Sequence, residues 1–241
     1  MIYEHENIIR VTEKVNEIIS ASQKSTFVVI DGDRTLIPTD STLFFFDRLG
    51  LNFKELETIF NKDGYSYVAF HNAAALYSQI NHKDYEEGCK YSGSSVSIYP
   101  EFLSFIDEVK HDVEFILVTS GLAQSWKNVL QNHSLNFFHL IGGNYFPTDN
   151  YIVDKNSKGV ISKTIVDAGK IVYAFGDTMI DFEMLSNATN PYIVVNEKLN
   201  DDFVSSFNLI PTLQQVSFGE YAHQNLPLIT LIEVAKTIKR N

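Results

Sequence analysis

The chain has 241 residues, 44% of them hydrophobic and 20% charged, and a formal net charge of -11. That size and apolar content suffice for one large domain, or a domain with an insertion, around a sizeable core. The acidic balance, uninterrupted by any basic cluster, argues against a nucleic-acid partner, and the single cysteine, Cys89, excludes an intramolecular disulfide.

Residues 3–20 fit an amphipathic helix, with Ile8, Val11, Val15, Ile18 and Ile19 near one face. Met1 to Ser20 is polar and periodic, unlike a signal peptide, and no stretch approaches membrane-span length. A cytoplasmic protein, monomer or homodimer, with no membrane partner is the expectation. Residues 26–30 then form a buried strand rich in β-branched side chains. It runs into Asp31-Gly32-Asp33, which places two acids at its carboxyl end, where open α/β sheets bind ligands. Buried acids need a positive partner, and a divalent cation such as Mg2+ suits oxygen ligands.

From Thr39 to about Ser97 the pattern is helical. Thr39-Asp40-Ser41 supplies an N-cap for a helix over 43–49. Further helices are expected over 53–61, 65–80 and 83–91, broken near Gly50, Asp63-Gly64 and Asn81-His82. Pro100 opens a helix over 100–110. A strand over 113–118 ends in Thr119-Ser120-Gly121, and a helix over 122–132 and a short strand over 137–141 follow. Residues 142–157 read as a loop or small hairpin, and 158–168 as a helix. A strand over 171–175 ends in Gly176-Asp177, a short helix holds Asp181 to Leu185, and a strand over 192–195 follows. A terminal helix is expected over 228–239. Strands alternating with helices imply α/β architecture, a parallel sheet covered on both faces.

Polar signals therefore stand at strand ends or helix starts in a fixed order: Asp31 and Asp33, Ser120, Lys158, then Asp177 and Asp181. Together they resemble the haloacid dehalogenase-like superfamily of phosphatases, in its phosphoserine-phosphatase-like branch. Asp31-Gly32-Asp33-Arg34-Thr35 is similar to its Asp-x-Asp-x-Thr motif, Ser120-Gly121 to the second, Lys158-Gly159 to the third, and Gly176-Asp177-Thr178-Met179-Ile180-Asp181 to the fourth. The resemblance implies a Rossmann-like three-layer α/β/α core, residues 1–38 and 98–241. The stretch from Asp31 to Ser120 is too long for one crossover helix, so the resemblance places a helical cap at 39–97. Between Ser120 and Lys158 there is no room for a second insertion.

The chemistry the resemblance implies is Mg2+-dependent hydrolysis of a small phosphorylated metabolite. Asp31 is the nucleophile that forms an aspartyl-phosphate, and Asp33 the general acid and base. The metal falls to the Asp31 side chain, the Asp33 main-chain carbonyl and Asp177, with Asp181 as a further ligand or supporting group. Ser120 and Gly121 face the phosphoryl oxygens and Lys158 offsets charge. Thr119 competes with Ser120, since both end the strand, and Lys155 and Lys163 compete with Lys158. The superfamily often carries glycine where Arg34 stands. Phosphoserine phosphatases have an acid matching Asp40, which binds the substrate amino group, and a cap arginine for the carboxylate. Here the cap contains only Arg48, at the wrong place, which argues against phosphoserine. A phosphotransferase or mutase, and a non-catalytic phospho-ligand-binding relative, are the alternatives.

Overall fold

In the computed structural model the described residues are 4–143, 151–197, 201–207 and 209–240. The segment 144–150, inside the expected loop or hairpin, lies outside them. Six strands form one parallel sheet: β1 (Thr26–Asp31), β2 (Glu114–Leu122), β3 (His139–Gly143), β4 (Ile171–Gly176), β5 (Asn190–Val195) and β6 (Gln214–Ser217). Their order is β3-β2-β1-β4-β5-β6. Beyond β3 the chain crosses back over β1, so the order reverses there, and that reversal opens a crevice at the carboxyl ends.

Period-two alternation divides β1 to β5 between two cores. Val28 and Ile30 of β1, with Phe115, Leu117, Tyr173 and Phe175, face one core. That core is closed by α6 (Pro100–Val109), α7 (Ala123–Asn132) and α11 (Leu231–Ile238). Phe27 and Val29, with Ile116, Val118, Val172 and Ala174, face the other. There α1 (Glu4–Ala21), α8 (Lys155–Asp167), α9 (Phe182–Ser186) and α10 (Asp201–Phe207) cover the sheet. β1 has both faces buried, which explains its unbroken apolar run.

The four remaining helices are consecutive: α2 (Ser41–Leu49), α3 (Lys54–Asp63), α4 (Tyr67–Tyr77) and α5 (His82–Ser95). They share an aromatic core of Phe45, Phe46, Tyr77 and Tyr85 around Cys89. Ser92 Oγ donates to the Ser41 carbonyl at 2.6 Å, fixing α5 against α2. Gly93 ties the segment to the sheet layers by letting α5 approach Asn128 of α7. On the opposite side Tyr67 and Phe70 of α4 pack with Ile152 and, at its edge, Ile180. The chain enters and leaves this helical segment side by side, where the Tyr99 amide donates to the Leu36 carbonyl at 3.1 Å.

Several boundaries differ from the sequence reading. α8 begins at Lys155, not 158, because Asp154 caps it: its Oδ1 accepts from the Ser157 amide at 2.8 Å. Lys158 therefore sits within the first turn. α11 begins at Leu231 behind a Thr230/Glu233 capping box, later than the expected 228. β3 is displaced to 139–143, and β6 and α10 occupy the C-terminal region where only one helix was expected. Among the described residues no helix is long and apolar enough to cross a membrane.

Candidate active site

The carboxyl ends of β1, β2 and β4 converge with the first turn of α8 and the start of α9. They line one side of a cavity of about 500 Å³, whose other side comes from α3 and α4. Asp31, Asp33, Ser120, Gly121, Lys158, Asp177 and Asp40 all line it. Asp181 is fully buried just behind. The residues singled out in the sequence are therefore brought together from five separate segments.

Lys158 is the electrostatic centre. Its ammonium is buried and ion-paired with Asp31 Oδ1 and, at 2.6 Å, with Asp181 Oδ1. Burial works to lower its pKa, but Asp181 and Asp31 hold it above the ordinary lysine value. Lys163, one of its competitors, pairs on the surface with Asp167, and Lys155 is exposed.

Asp181 is held from behind. Its Oδ2 accepts from the amides of Asp177 and Thr178, each at 3.1 Å, and from the Thr178 hydroxyl at 3.2 Å. A Cβ at position 176 would lie 2.4 Å from the Asp181 Cβ, so only glycine lets this carboxylate fold back against the end of β4. Asp177 Oδ1 in turn accepts from the Thr35 hydroxyl at 3.2 Å. One carboxylate oxygen each of Asp31, Asp177 and Asp181 lies within 4.8 Å of the others.

Three buried carboxylates thus face one buried ammonium. The deficit shows in their proton affinity. Burial, and then the Asp181 charge, push Asp31 up to about 8 against the pull of Lys158. Burial, Asp181 and Asp31 raise Asp177 well above the usual carboxylate range. A hard divalent cation fits this donor set in both chemistry and charge: oxygen ligands, close-set, with uncompensated negative charge.

Asp33 stands apart from that cluster. Its Oδ1 accepts from the Ser41 amide at 2.6 Å and its Oδ2 from the Trp126 indole N–H at 3.3 Å. Burial, and next the Asp40 charge, push it up to about 6. The side chain of Asp33 is thus aimed away from the acid cluster. Following it, Arg34 takes φ 62°, the left-handed region favoured by glycine, and its carbonyl accepts from the Asn196 side chain. That kink turns the chain immediately after Asp33.

At the end of β2 the two candidate hydroxyls differ. Thr119 Oγ1 is engaged by the Gly121 amide at 2.9 Å. Ser120 Oγ is buried with no hydrogen-bond partner among the described residues. Asp40 does cap α2, its Oδ1 accepting from the Thr42 amide at 2.9 Å, and it also lines the cavity. Arg48 lies outside, paired with Glu87 and stacked over Tyr91.

Sequence reasoning gave no role to Trp126, Thr178 or the Thr35 hydroxyl. Thr35 lay within the quoted first motif, so its position was a usable signal. Trp126 carried none beyond being the one tryptophan in the chain.

Several solved structures share this fold. A haloacid dehalogenase family hydrolase from Salmonella enterica serovar Typhi aligns with a TM-score of 0.59 and 13% identity, over 84% of this chain and 75% of that one. A phosphoserine phosphatase in its apo form aligns at 0.57 and 15% identity, over 76% and 91%. The phosphoserine phosphatase from T. onnurineus aligns at 0.56 and 16%, over 90% and 95%. No curated protein matches the chain in sequence. Residues 28–186, well over half the chain and spanning every residue of the convergent site, match the haloacid dehalogenase-like hydrolases, and the protein belongs to that family.

Proposed function

We propose that the protein is a Mg2+-dependent phosphomonoesterase that hydrolyses a small phosphorylated metabolite through an aspartyl-phosphate. The observation that carries this reading is the division of labour between the first two acids. Asp31 sits beside the buried Lys158 ammonium, and Asp33 is held separately by Ser41 and Trp126, yet both open on one cavity. Residues 39–97 act in this reading as a cap over a core formed by 1–38 and 98–241.

Asp31 attacks phosphorus, and the bond from phosphorus to the alcohol oxygen breaks. Asp33 gives its proton to the departing alkoxide. It then takes one from the water that cleaves the aspartyl-phosphate, which frees Asp31 and inorganic phosphate. Its raised pKa suits a group that must alternate between both forms near neutrality. Lys158 offsets negative charge on the phosphoryl group, and the Ser120 hydroxyl, which has no partner among the described residues, offers with the Gly121 loop a donor to one of its oxygens. A divalent cation, when bound, would cancel charge between the phosphate and the carboxylates. Asp31, Asp177 and the Asp33 main-chain carbonyl would hold it. Asp181 is committed to Lys158 and to two backbone amides, which favours a supporting place for it.

The test is hydrolysis of a panel of phosphate monoesters with Mg2+, alongside Asp31→Asn. Phosphate release by wild type is expected, with a loss of several orders of magnitude in the variant. The variant is checked by mass for deamidation, which would regenerate aspartate. Retention of activity within about tenfold, in protein that passes that check, rejects Asp31 as nucleophile.

A further inference from the structure

The half of the cavity that faces away from the acid cluster has a composition of its own. Phe53, Phe60, Phe70 and Tyr77 wall it, and its charged groups are Asp40 and Glu57. Among the described residues, the cationic side chains that line the cavity are Lys158 and Arg34, both at the β1 and α8 end. No lysine, arginine or histidine of α2–α5 lines it. The rings are ordered: Phe60 meets Phe70 edge to face at 5.0 Å, and Tyr65 lies 5.3 Å from Phe60.

This composition selects. A cavity of about 500 Å³ falls in the range that encloses drug-sized ligands. A phosphate on a two- or three-carbon alcohol would leave water against the aromatic wall, which gains nothing from it. A flat ring would displace that water and pack on the ring edges. A carboxylate on the leaving group would meet Asp40 and Glu57 with no cation to receive it.

Resting on the phosphatase reading, we infer that the preferred substrate is the phosphate monoester of an alcohol that bears a flat ring and no negative charge. The ring lies against Phe53, Phe60 and Phe70, and the acids at positions 40 and 57 exclude anionic leaving groups.

Four esters separate the two elements of this preference: benzyl phosphate, 4-carboxybenzyl phosphate, glycerol 3-phosphate and phosphoserine. Benzyl phosphate should exceed glycerol 3-phosphate in kcat/KM by at least about tenfold, and the para-carboxylate should remove a similar factor. In Glu57→Gln, an exposed position that tolerates change, the ratio of benzyl to 4-carboxybenzyl phosphate should fall severalfold. Phe53→Leu keeps apolar volume but removes the flat face, and should shrink the ratio of benzyl to glycerol phosphate. Equal rates on all four esters, or a preference for the carboxylated ring, would overturn the inference while leaving a phosphatase. If no ester is hydrolysed, the phosphatase reading fails, and calorimetry with benzylphosphonate and 4-carboxybenzylphosphonate still judges the pocket. Tighter binding of the uncharged phosphonate supports the inference, and equal or reversed affinities overturn it.

Discussion

Trp126 packs directly against Gly32: a Cβ at position 32 would sit 2.5 Å from both Cε2 and Cζ2 of the indole. The same ring donates its N–H to Asp33, the next residue. The glycine between the two acids therefore exists for the ring, and the ring exists in part for the second acid. Trp126→Phe keeps an aromatic ring but gives up part of the contact with Gly32 together with the donor. It should slow hydrolysis of an alkyl phosphate about three- to tenfold, the scale of one ordinary hydrogen bond, and lower Tm through the vacated space. Gly32→Ala forces the ring to move and should cost about 1–3 kcal/mol of stability as well as activity. Unchanged kinetics in Trp126→Phe would show that Asp33 needs no help from the indole.

Asp33→Ala should act through the leaving group. An alkyl alkoxide needs a proton as it departs, whereas 4-nitrophenolate leaves unaided. The variant should lose about two or more orders of magnitude on the alkyl ester and clearly less on 4-nitrophenyl phosphate. An equal loss on both would remove Asp33 from the bond-cleaving step.

The crowded acids make the metal-free protein sensitive to pH in a definite direction. Asp31 titrates at about 8 when folded, against about 3.9 in an unfolded chain. Between those values the folded state binds more protons than the unfolded one. Stability therefore falls as pH rises from about 4 to about 8. Asp177 and Asp33, also raised, act in the same sense. Mg2+ favours the deprotonated acids, so added Mg2+ should raise Tm more at pH 8 than at pH 5. Thermal unfolding in chelator and in excess Mg2+ at both pH values checks this. A Tm in chelator that climbs from pH 5 to pH 8, or ignores Mg2+ at pH 8, contradicts the assignment of these carboxylates to a cation.

Asp40 has two jobs to be separated. Asparagine caps a helix about as well as aspartate, so Asp40→Asn preserves the cap on α2 while deleting the charge. If the charge faces the leaving group, KM for an amine-bearing phosphate should rise by about one to two orders of magnitude. That for 4-nitrophenyl phosphate should hardly move. A fall in Tm with no KM change would leave Asp40 as a cap alone.

The strands with unbroken apolar runs, β1 and β4, could be read from the sequence because burial on both faces demands such runs. The acids and the glycine at their ends could be read for the same reason: a strand end at a sheet crevice leaves few compatible residue types. β6 could not. It is four residues long, Gln214–Ser217, with polar residues at three of its positions, and it is held by β5 and by Gln215 reaching the His223 and Leu226 carbonyls. α8 starts three residues before 158 because Asp154 supplies its cap. The link from Trp126 to Asp33 joins residues on different elements across the sheet end, a pairing that local periodicity cannot express.

The hydrogen bond from Tyr99 to Leu36 closes a loop some sixty residues long at its neck. Chain between two pinned points costs little more as it lengthens, because closure entropy grows only with the logarithm of loop size. The neck thus lets the intervening run vary in length at little entropic cost. A replacement of that run that kept the contacts of α5 with α7 and of α4 with Ile152 would reshape the aromatic wall and its acids. The phosphate-facing ends of β1, β2 and β4 would stay in register. The aromatic wall and the strand-end residues can drift at different rates in such a molecule, since one is encoded in a single run of sequence and the other is scattered along the remainder.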